Sequence, residues 1–163
     1  MSVIIENAVP ADVPDILMLI KELAVYERAE NEVTVSAANL LRDGFGPDKI
    51  FDCFVAREND QVLGIALVYT KYSTWKGRCI YLEDIIVKED KRGNGIGRKL
   101  FKEVVRFAKD NFAGRLEWQV LDWNEPAIGF YKKFNAEFDS TWINCRFTKE
   151  QLEGIDPENY DRF

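Results

Sequence analysis

The most constraining feature of this chain is a glycine-rich segment between an apolar run and an amphipathic stretch. The apolar run is Ile85-Ile86-Val87, and the glycine-rich segment is Arg92-Gly93-Asn94-Gly95-Ile96-Gly97. Apolar residues then recur at the spacing of an α-helix, at Ile96, Leu100, Phe101, Val104, Phe107 and Ala108. The order is therefore strand, glycine-rich loop and helix, which is typical of domains that pack helices against a sheet.

The same loop has the chemistry of a phosphate-binding site. Glycines allow several backbone N–H groups to turn toward one point, and the N-terminus of the following helix adds partial positive charge. The flanking cations are Lys91, Arg92, Arg98 and Lys99. A dinucleotide fingerprint would need a third glycine where Arg98 stands, and no stretch fits a Walker loop. The segment predicts a seat for another phosphate or pyrophosphate ligand, with an ordinary glycine-rich turn as the alternative.

Size and cysteine usage favour one reduced domain. A chain of 163 residues, 47% of them hydrophobic, can bury a full core without disulfides. We therefore expect a single domain that covers residues 1–163. Cys53, Cys79 and Cys145 lie far apart, so we expect free thiols and no metal site. The N-terminus lacks a signal-like segment, and no apolar run approaches about 18 residues. We therefore expect a cytoplasmic protein that does not act on a membrane.

The absence of histidine and the net charge narrow the chemistry. With no histidine in the chain, any proton transfer must use Asp, Glu, Tyr, Lys, Cys or water. The formal net charge of −6 disfavours nucleic acid and anionic membranes as partners. An acidic protein of this kind is suited to a cationic substrate.

The rest of the chain predicts alternating strands and helices. A first helix is capped by Asp12 with Pro14 in its first turn, a second runs from Ser36 to Gly44, and a last one follows Asn124. The main amphipathic helix covers residues 98–110. Predicted strands are residues 3–6, 51–57, 62–72, 78–87, 116–120 and 142–147. The acidic tail from residue 154 to 163 is expected to be irregular.

Three further segments extend the pattern set by the loop. They are Leu19-Ile20-Lys21-Glu22-Leu23-Ala24-Val25-Tyr26-Glu27, Tyr81-Leu82-Glu83-Asp84, and Trp123-Asn124-Glu125-Pro126 followed by Phe130-Tyr131-Lys132. In order and spacing they resemble the GNAT N-acetyltransferase superfamily, specifically its spermidine/spermine N-acetyltransferase family, over nearly the whole chain. The resemblance implies an α/β fold with a mixed, mostly antiparallel central sheet and helices on both faces. Two neighbouring strands would splay apart to admit the cofactor.

The resemblance also implies the cosubstrate, acetyl-CoA, and the residues that hold it. Backbone groups of the strand at Ile85, Ile86 and Val87 would bind the pantetheine arm as if it were an extra strand, and a backbone N–H near Ile85 is the expected oxyanion donor. The other contacts expected from the resemblance are Arg92, Gly93, Asn94, Gly95, Ile96, Gly97 and Arg98 in the loop, and Asn124, Glu125, Pro126 and Ala127 at a helix start. No metal is expected.

Two side chains are predicted to carry the chemistry. Glu83 and Asp84 are neighbours on a strand, so they are expected to point to opposite faces, and the resemblance assigns Glu83 to the substrate side. A carboxylate there can hold a substrate ammonium and accept its proton. Tyr131 matches the family's general acid, which protonates the leaving thiolate; the alternative is a core tyrosine. The resemblance adds the pocket residues Tyr26, Glu27, Glu117, Trp118 and Gln119.

Two departures from the family pattern concern the end of a helix and the choice of substrate. Asn135 stands where glycine usually ends the helix of Tyr131, and asparagine tolerates the left-handed conformation that this position requires. Ser73 stands where the polyamine-specific branch places an acid, and a second acid is missing near residues 140–142. Residues 72–78 and 120–124 resemble the thialysine N-acetyltransferase branch instead.

The sequence therefore predicts an acetyl-CoA-dependent N-acetyltransferase that modifies a primary amine of a small cation by direct attack in a ternary complex. Spermidine/spermine N1-acetylation, protein acetylation and a catalytically silent CoA-binding module remain alternatives. The resemblance implies a homodimer, for which Trp118, Trp123, Phe138 and Trp142 offer apolar surface unless they fill the core of one subunit.

Overall fold

The structure is a computed structural model that describes residues 2–157. By its internal contacts the chain divides after Gln119 into two compact units. Within the described residues, no helix combines the length and the apolar character that crossing a membrane would require. The prediction of a single domain over 1–163 stays a prediction.

The first unit contains a five-stranded sheet whose strands follow one another in chain order. Its strands are β1 (Ile4–Asn7), β2 (Asp52–Glu58), β3 (Gln61–Ser73), β4 (Gly77–Val87) and β5 (Arg115–Glu117). The first four pair antiparallel, and β5 lies parallel to β4. The predicted mixed, mostly antiparallel sheet is confirmed.

Helices cover both faces of this sheet, as predicted. They are α1 (Val13–Tyr26), α2 (Ala37–Phe45) and α3 (Ile96–Asp110). Helices α1 and α2 pack on one face, called the α1 face below, through a buried cluster of Val13, Ile16, Leu19, Leu40, Cys53, Val55, Val62, Ile65 and Ile86. On the opposite face, Phe54 meets Phe107 of α3 edge to face at 5.5 Å between ring centroids.

The parallel pair β4–β5 is short. Its ladder joins Cys79 to Arg115, Ile80 to Leu116 and Tyr81 to Glu117. Strand β4 continues to Val87, whereas β5 ends at Glu117, so the recorded pairing stops in the middle of β4. The splay that the resemblance implied for this pair stays a prediction, and β5 is shorter than the predicted strand 116–120.

The capping prediction for Asp12 was wrong in detail. Helix α1 begins after Asp12, but the side chain makes no cap hydrogen bond to the helix. Instead, its buried carboxylate accepts hydrogen bonds from the Val9 backbone N–H at 2.9 Å and from Arg57 Nη2 at 2.7 Å. Arg57 also donates to Glu6 at 2.5 Å. A buried carboxylate is stabilised by a cation and an N–H donor, so Asp12 links the start of α1 to β2.

The second unit contains α4 (Glu125–Lys132) and α5 (Lys149–Gly154). Helix α4 begins as predicted, because the Asn124 side chain accepts a hydrogen bond from the Ala127 N–H at 3.2 Å. Asn135 has a φ of 57°, which confirms the left-handed turn expected there.

Two predictions for the second unit fail. Residues 142–147 form no strand among the described residues, because an apolar run becomes a strand only where another strand offers ladder partners. The sequence interpretation also missed α5, whose start carries a capping box: Thr148 and Gln151 each accept the other's backbone N–H. The expected irregular tail begins after α5, and its part from residue 158 lies outside the described residues.

Candidate active site

A β-bulge in β4 changes the orientation of two acidic side chains. The ladder pairs Val68 with Leu82 and then Leu67 with Asp84, so Glu83 is an extra residue without an opposite partner. In a bulge, two residues of one strand face a single residue of the other, and the alternation of side chains is interrupted. The expectation that Glu83 and Asp84 point to opposite faces was therefore wrong.

Both carboxylates lie on the α1 face. Asp84 is opposite Leu67, which is two residues from Ile65 of the α1-face core, and directly opposed residues share a face. Tyr69 lies two residues further along the same face, and the Glu83 carboxylate is close enough to raise the pKa of its phenol. The bulge thus brings two adjacent acids to one side of the sheet.

Burial and charge repulsion act on this pair. Burial raises the pKa of Asp84 to about 6, and the nearby carboxylates of Glu83 and Glu27 add to the effect. Burial also raises the pKa of Glu27, the residue that follows α1. A carboxyl group with a pKa near neutrality can both accept and release a proton under physiological conditions. Asp84, which was not among the predicted site residues, is therefore the better poised of the two acids.

Two tyrosines lie next to the acids on the α1 face of the sheet. Tyr69 and Tyr81 are opposed in the ladder, and their ring centroids are 5.3 Å apart. Burial raises the pKa of both phenols, and the negative charge of Glu83 raises it further. Both hydroxyls therefore stay protonated and can donate hydrogen bonds at neutral pH.

The end of α1 joins this acidic pair to the glycine-rich loop. Arg92 lies over the Tyr26 ring, with its guanidinium carbon 5.1 Å from the ring centroid, and its Nε donates to the Val87 carbonyl at 2.9 Å. The next residue after Tyr26 is Glu27, whose charge acts on Asp84. Two predicted pocket residues, Tyr26 and Glu27, thus meet the loop and the acids respectively.

The loop has the backbone geometry of an anion seat. Gly93 and Gly95 have φ values of 80° and 78°, and an added Cβ would meet nothing within 4 Å at either position. This left-handed conformation is unfavourable for other residues, even where space is available. Helix α3 begins immediately after Gly95 with no acidic residue in its first turn. Its first N–H groups have no partner within the helix and attract anions.

An open groove of about 970 Å³ lies between α1 and the segment that leads into the loop. Tyr26 and Arg92 contribute to it, together with Pro14, Leu17, Met18, Lys21, Glu22, Val25, Lys88, Glu89 and Asp90. The acidic pair is not part of this lining. The groove therefore borders the loop from the α1 side and does not mark where the acids act.

At the other end of the α1 face, Glu117 is held by two cations. Its carboxylate oxygens lie 3.4 Å from Lys71 Nζ and 3.2 Å from Arg115 Nη2. Lys71 Nζ also lies 5.4 Å from the centroid of the Tyr81 ring. Trp118, predicted for the pocket, packs edge to face on Phe101 at 5.3 Å between centroids. Gln119 is the last residue of the first unit.

The second unit carries the remaining predicted residues. Tyr131 lies in α4 with only 5% of its surface exposed, and its ring meets Phe130 edge to face at 5.2 Å. Asn124, Glu125, Pro126 and Ala127 form the start of the same helix. Their roles remain predictions.

Sequence reasoning missed Tyr69 and Lys71 as site residues, and it named Asp84 only as the neighbour of Glu83, because the bulge that brings it to the same face was not foreseen. A bulge cannot be read from residue types, since it depends on how β3 and β4 pair. Alternation along β3 offered the only signal, because Tyr69 and Lys71 fall on one side of that strand.

Comparison with known proteins identifies the relatives of this chain. The sequence model of the "Acetyltransferase (GNAT) family" matches residues 18–136. The thialysine N-epsilon-acetyltransferase of Bos taurus is 43% identical over 94% of this chain and 96% of its own length. The spermidine/spermine N(1)-acetyltransferase-like protein 1 of Homo sapiens is 35% identical over 91% of this chain, which corresponds to 23% of that longer protein.

A solved structure agrees with the fold. An integron cassette protein from the mobile metagenome of V. cholerae superposes with a TM-score of 0.76 and 26% sequence identity. The match covers 94% of this chain and 96% of that one.

Proposed function

Because the chain belongs to the acetyltransferase (GNAT) family, we propose that it acetylates a primary amine of a small cationic molecule such as a thialysine-like amino acid or a diamine. The chain is an N-acetyltransferase, as its relatives are. The observation that carries the proposed substrate class is the pair of acids, Glu83 and Asp84, on one face of β4 just before the loop. A pair of carboxylates attracts an ammonium group.

Acetyl-CoA is the cosubstrate of this family, and the loop residues fit its pyrophosphate. Gly93 and Gly95 adopt the left-handed conformation that lets backbone N–H groups converge. Helix α3 adds its partial positive charge at the same place, and Arg92 and Arg98 supply formal charge. In this proposal Ile85, Ile86 and Val87 contribute backbone hydrogen bonds to the pantetheine arm, and Asn124, Glu125, Pro126 and Ala127 contact it from the start of α4.

The acidic pair performs the first proton transfer in this proposal. A primary ammonium has a pKa of about 10 and must lose a proton before its nitrogen can attack a thioester. Glu83 holds the cation, and Asp84 takes the proton directly or through one water. The raised pKa of Asp84, about 6, supports this division, because a carboxyl group with that pKa is ionised at neutral pH and is a stronger base than an ordinary aspartate.

Tyr131 is proposed as the general acid, which donates its phenolic proton to the leaving thiolate. A phenol and a thiol have pKa values close enough for this transfer. Attack takes place directly in the ternary complex, with a backbone N–H near Ile85 as the oxyanion donor. Cys53 is not expected to act as a nucleophile, because burial raises the pKa of its thiol to about 12 and keeps it protonated.

The second candidate is a spermidine/spermine N1-acetyltransferase, and its support is the relative from Homo sapiens. A third, from another class, is a CoA-binding sensor without turnover. We favour an amino acid substrate because Ser73 stands where the polyamine branch places an acid.

We also propose that the enzyme is a single-domain, cytoplasmic homodimer. The family match crosses the division after Gln119, which supports one domain. The exposed aromatic side chains Trp123, Phe138 and Trp142 in the second unit support dimerisation. Trp118 does not, because it packs on Phe101. Analytical ultracentrifugation would measure the mass of the assembly.

The decisive experiment measures thiol release from acetyl-CoA with thialysine, lysine, spermidine, spermine and a peptide lysine as acceptors. The proposal expects the highest kcat/KM with a thialysine-like amino acid. If kcat/KM is highest with spermidine, the second candidate, a spermidine/spermine N1-acetyltransferase, replaces this proposal. Tight acetyl-CoA binding without thiol release for any amine would favour the sensor.

A further inference from the structure

The charged side chains of the α1 face separate into an acidic end and a cationic end. Glu27 and Glu83 both lie close enough to Asp84 for their negative charges to raise its pKa. Across the ring pair of Tyr69 and Tyr81, Lys71 and Arg115 surround the single carboxylate of Glu117. Two cations and one anion leave a net positive charge in this second group. A ligand lying along the face would therefore meet opposite potentials at its two ends.

The ammonium of Lys71 is held in position by weak contacts and makes no short hydrogen bond to Glu117. Its Nζ lies 3.4 Å from the nearer Glu117 oxygen, longer than a charge-assisted hydrogen bond of about 2.8 Å. The Tyr81 ring, 5.4 Å from the same Nζ, attracts it as a cation. The Lys71 side chain is 43% exposed. It can thus receive an anionic group without losing its place in the structure.

The spacing of the two ends is set by the ladder. Leu67 opposite Asp84, Tyr69 opposite Tyr81, and Lys71 opposite Cys79 form successive rows on the α1 face. Rows two residues apart are separated by roughly 7 Å along a strand. Lys71 leans back over the middle row, because its Nζ lies above the Tyr81 ring. The acids and the Lys71 ammonium are therefore about one row apart.

We propose that Lys71, held in place by Glu117, binds the carboxylate of an amino acid substrate whose terminal amine lies at Glu83 and Asp84. In an extended thialysine-like molecule the terminal nitrogen is six bonds from the carboxylate carbon, or roughly 7 Å, which matches one row. The inference rests on the proposed function and specifies its substrate class. A diamine would place a second ammonium against Lys71, where like charges repel.

This inference assigns Glu117 a different role from the one predicted for it. Its carboxylate is already shared between Lys71 and Arg115, so it positions Lys71 instead of binding the substrate ammonium. Lys71 is then the specificity-determining residue of the site. The competing explanation is that Lys71 only neutralises Glu117 and touches no substrate.

The test compares two acceptors that differ only in the carboxylate: thialysine and its carboxamide. Lys71→Met removes the charge and keeps the length of the chain, whereas Lys71→Arg keeps the charge. We expect Lys71→Met to lose about tenfold in kcat/KM with thialysine, mostly in KM, and little with the carboxamide. Lys71→Arg should retain most of the preference for the free acid.

Lys49→Met is the matched control, because Lys49 pairs with Asp52 at 2.6 Å on β2, in a different part of the sheet. It should leave the ratio between the two acceptors unchanged. An equal loss on both acceptors in Lys71→Met, or no loss on either, overturns the inference while the acetyltransferase proposal stands. Failure of the unmodified enzyme to acetylate any amine, carboxamide included, overturns the proposed function and this inference with it.

Discussion

Glu83 and Asp84, neighbours in the chain, both place their carboxylates on the α1 face of the sheet. The bulge after Leu82 makes this possible, because Glu83 has no opposite residue while Asp84 faces Leu67. Glu83 is exposed and lies close enough to Tyr69 to raise the pKa of its phenol, whereas Asp84 is the more buried of the two acids. One acid is thus available to hold a cation, and the other has a pKa suited to proton transfer.

The first prediction concerns the pH dependence of stability at Asp84. Burial raises the pKa of Asp84 in the folded state from its ordinary value to about 6. The stability associated with the protonated carboxyl is therefore present at low pH and is lost as pH rises through about 6. In Asp84→Asn this loss is absent. Urea unfolding at about pH 4.5 and pH 8 should therefore show a smaller decline for the variant. Equal declines would mean that Asp84 is not destabilised by burial.

The second prediction concerns the loop. Gly95→Ala forces alanine into a left-handed conformation at a φ of 78°, which costs about 1–2 kcal/mol or displaces the loop. We expect the KM for acetyl-CoA to rise about tenfold or more, since the converging N–H groups shift. Gly77→Ala is the matched control, with a φ of 74° and equally open space. It should lose similar stability in thermal unfolding but keep its KM for acetyl-CoA.

The third prediction concerns the general acid. Tyr131→Phe removes only the hydroxyl of a buried ring, so the fold should persist. We expect kcat to fall about 100-fold if the phenol protonates the leaving thiolate. Single-turnover kinetics would measure the chemical step directly. Tyr72→Phe, at a tyrosine that is 76% exposed, should keep kcat unchanged. A kcat near that of the unmodified enzyme in Tyr131→Phe would assign this tyrosine to packing alone.

The fourth prediction concerns substrate choice at Ser73. Its hydroxyl accepts the Trp75 and Lys76 N–H groups at 3.2 Å each and closes the β3–β4 hairpin. Aspartate and asparagine can accept the same bonds, so both variants should fold. Ser73→Asp should narrow or reverse a preference for thialysine over spermidine by roughly tenfold, because it adds a partner for a second ammonium and weakens the field of Lys71.

Ser73→Asn is the uncharged control for this change, and competition assays with both amines would compare the two variants. An identical shift in both would show that charge at this position is not what selects the substrate.

The fold was largely predictable, because it rests on local patterns. The 3.6-residue period from Ile96 to Ala108 and the capping position of Asn124 depend on neighbouring residues alone, and α3 and α4 form where expected. The expected strand at 142–147 has the right residue types, yet it has no ladder partner in the described structure. Strand formation depends on a second strand, which the local pattern does not supply.

By itself, the sequence determined the order strand, glycine-rich loop and helix, because these depend on local residue types. It also determined the family, through motifs spread along the chain. The structure decided which glycines adopt the left-handed conformation: Gly93 and Gly95 do, whereas Gly97 lies within α3. Only the tertiary structure decided which side of the sheet the acids occupy. The register between β3 and β4 sets the bulge at Glu83, and it brings Lys71 of β3 over Tyr81 of β4 and beside Glu117 of β5. Register and bulge are properties of two whole strands pairing with each other, so the residue types around Glu83 do not decide them alone.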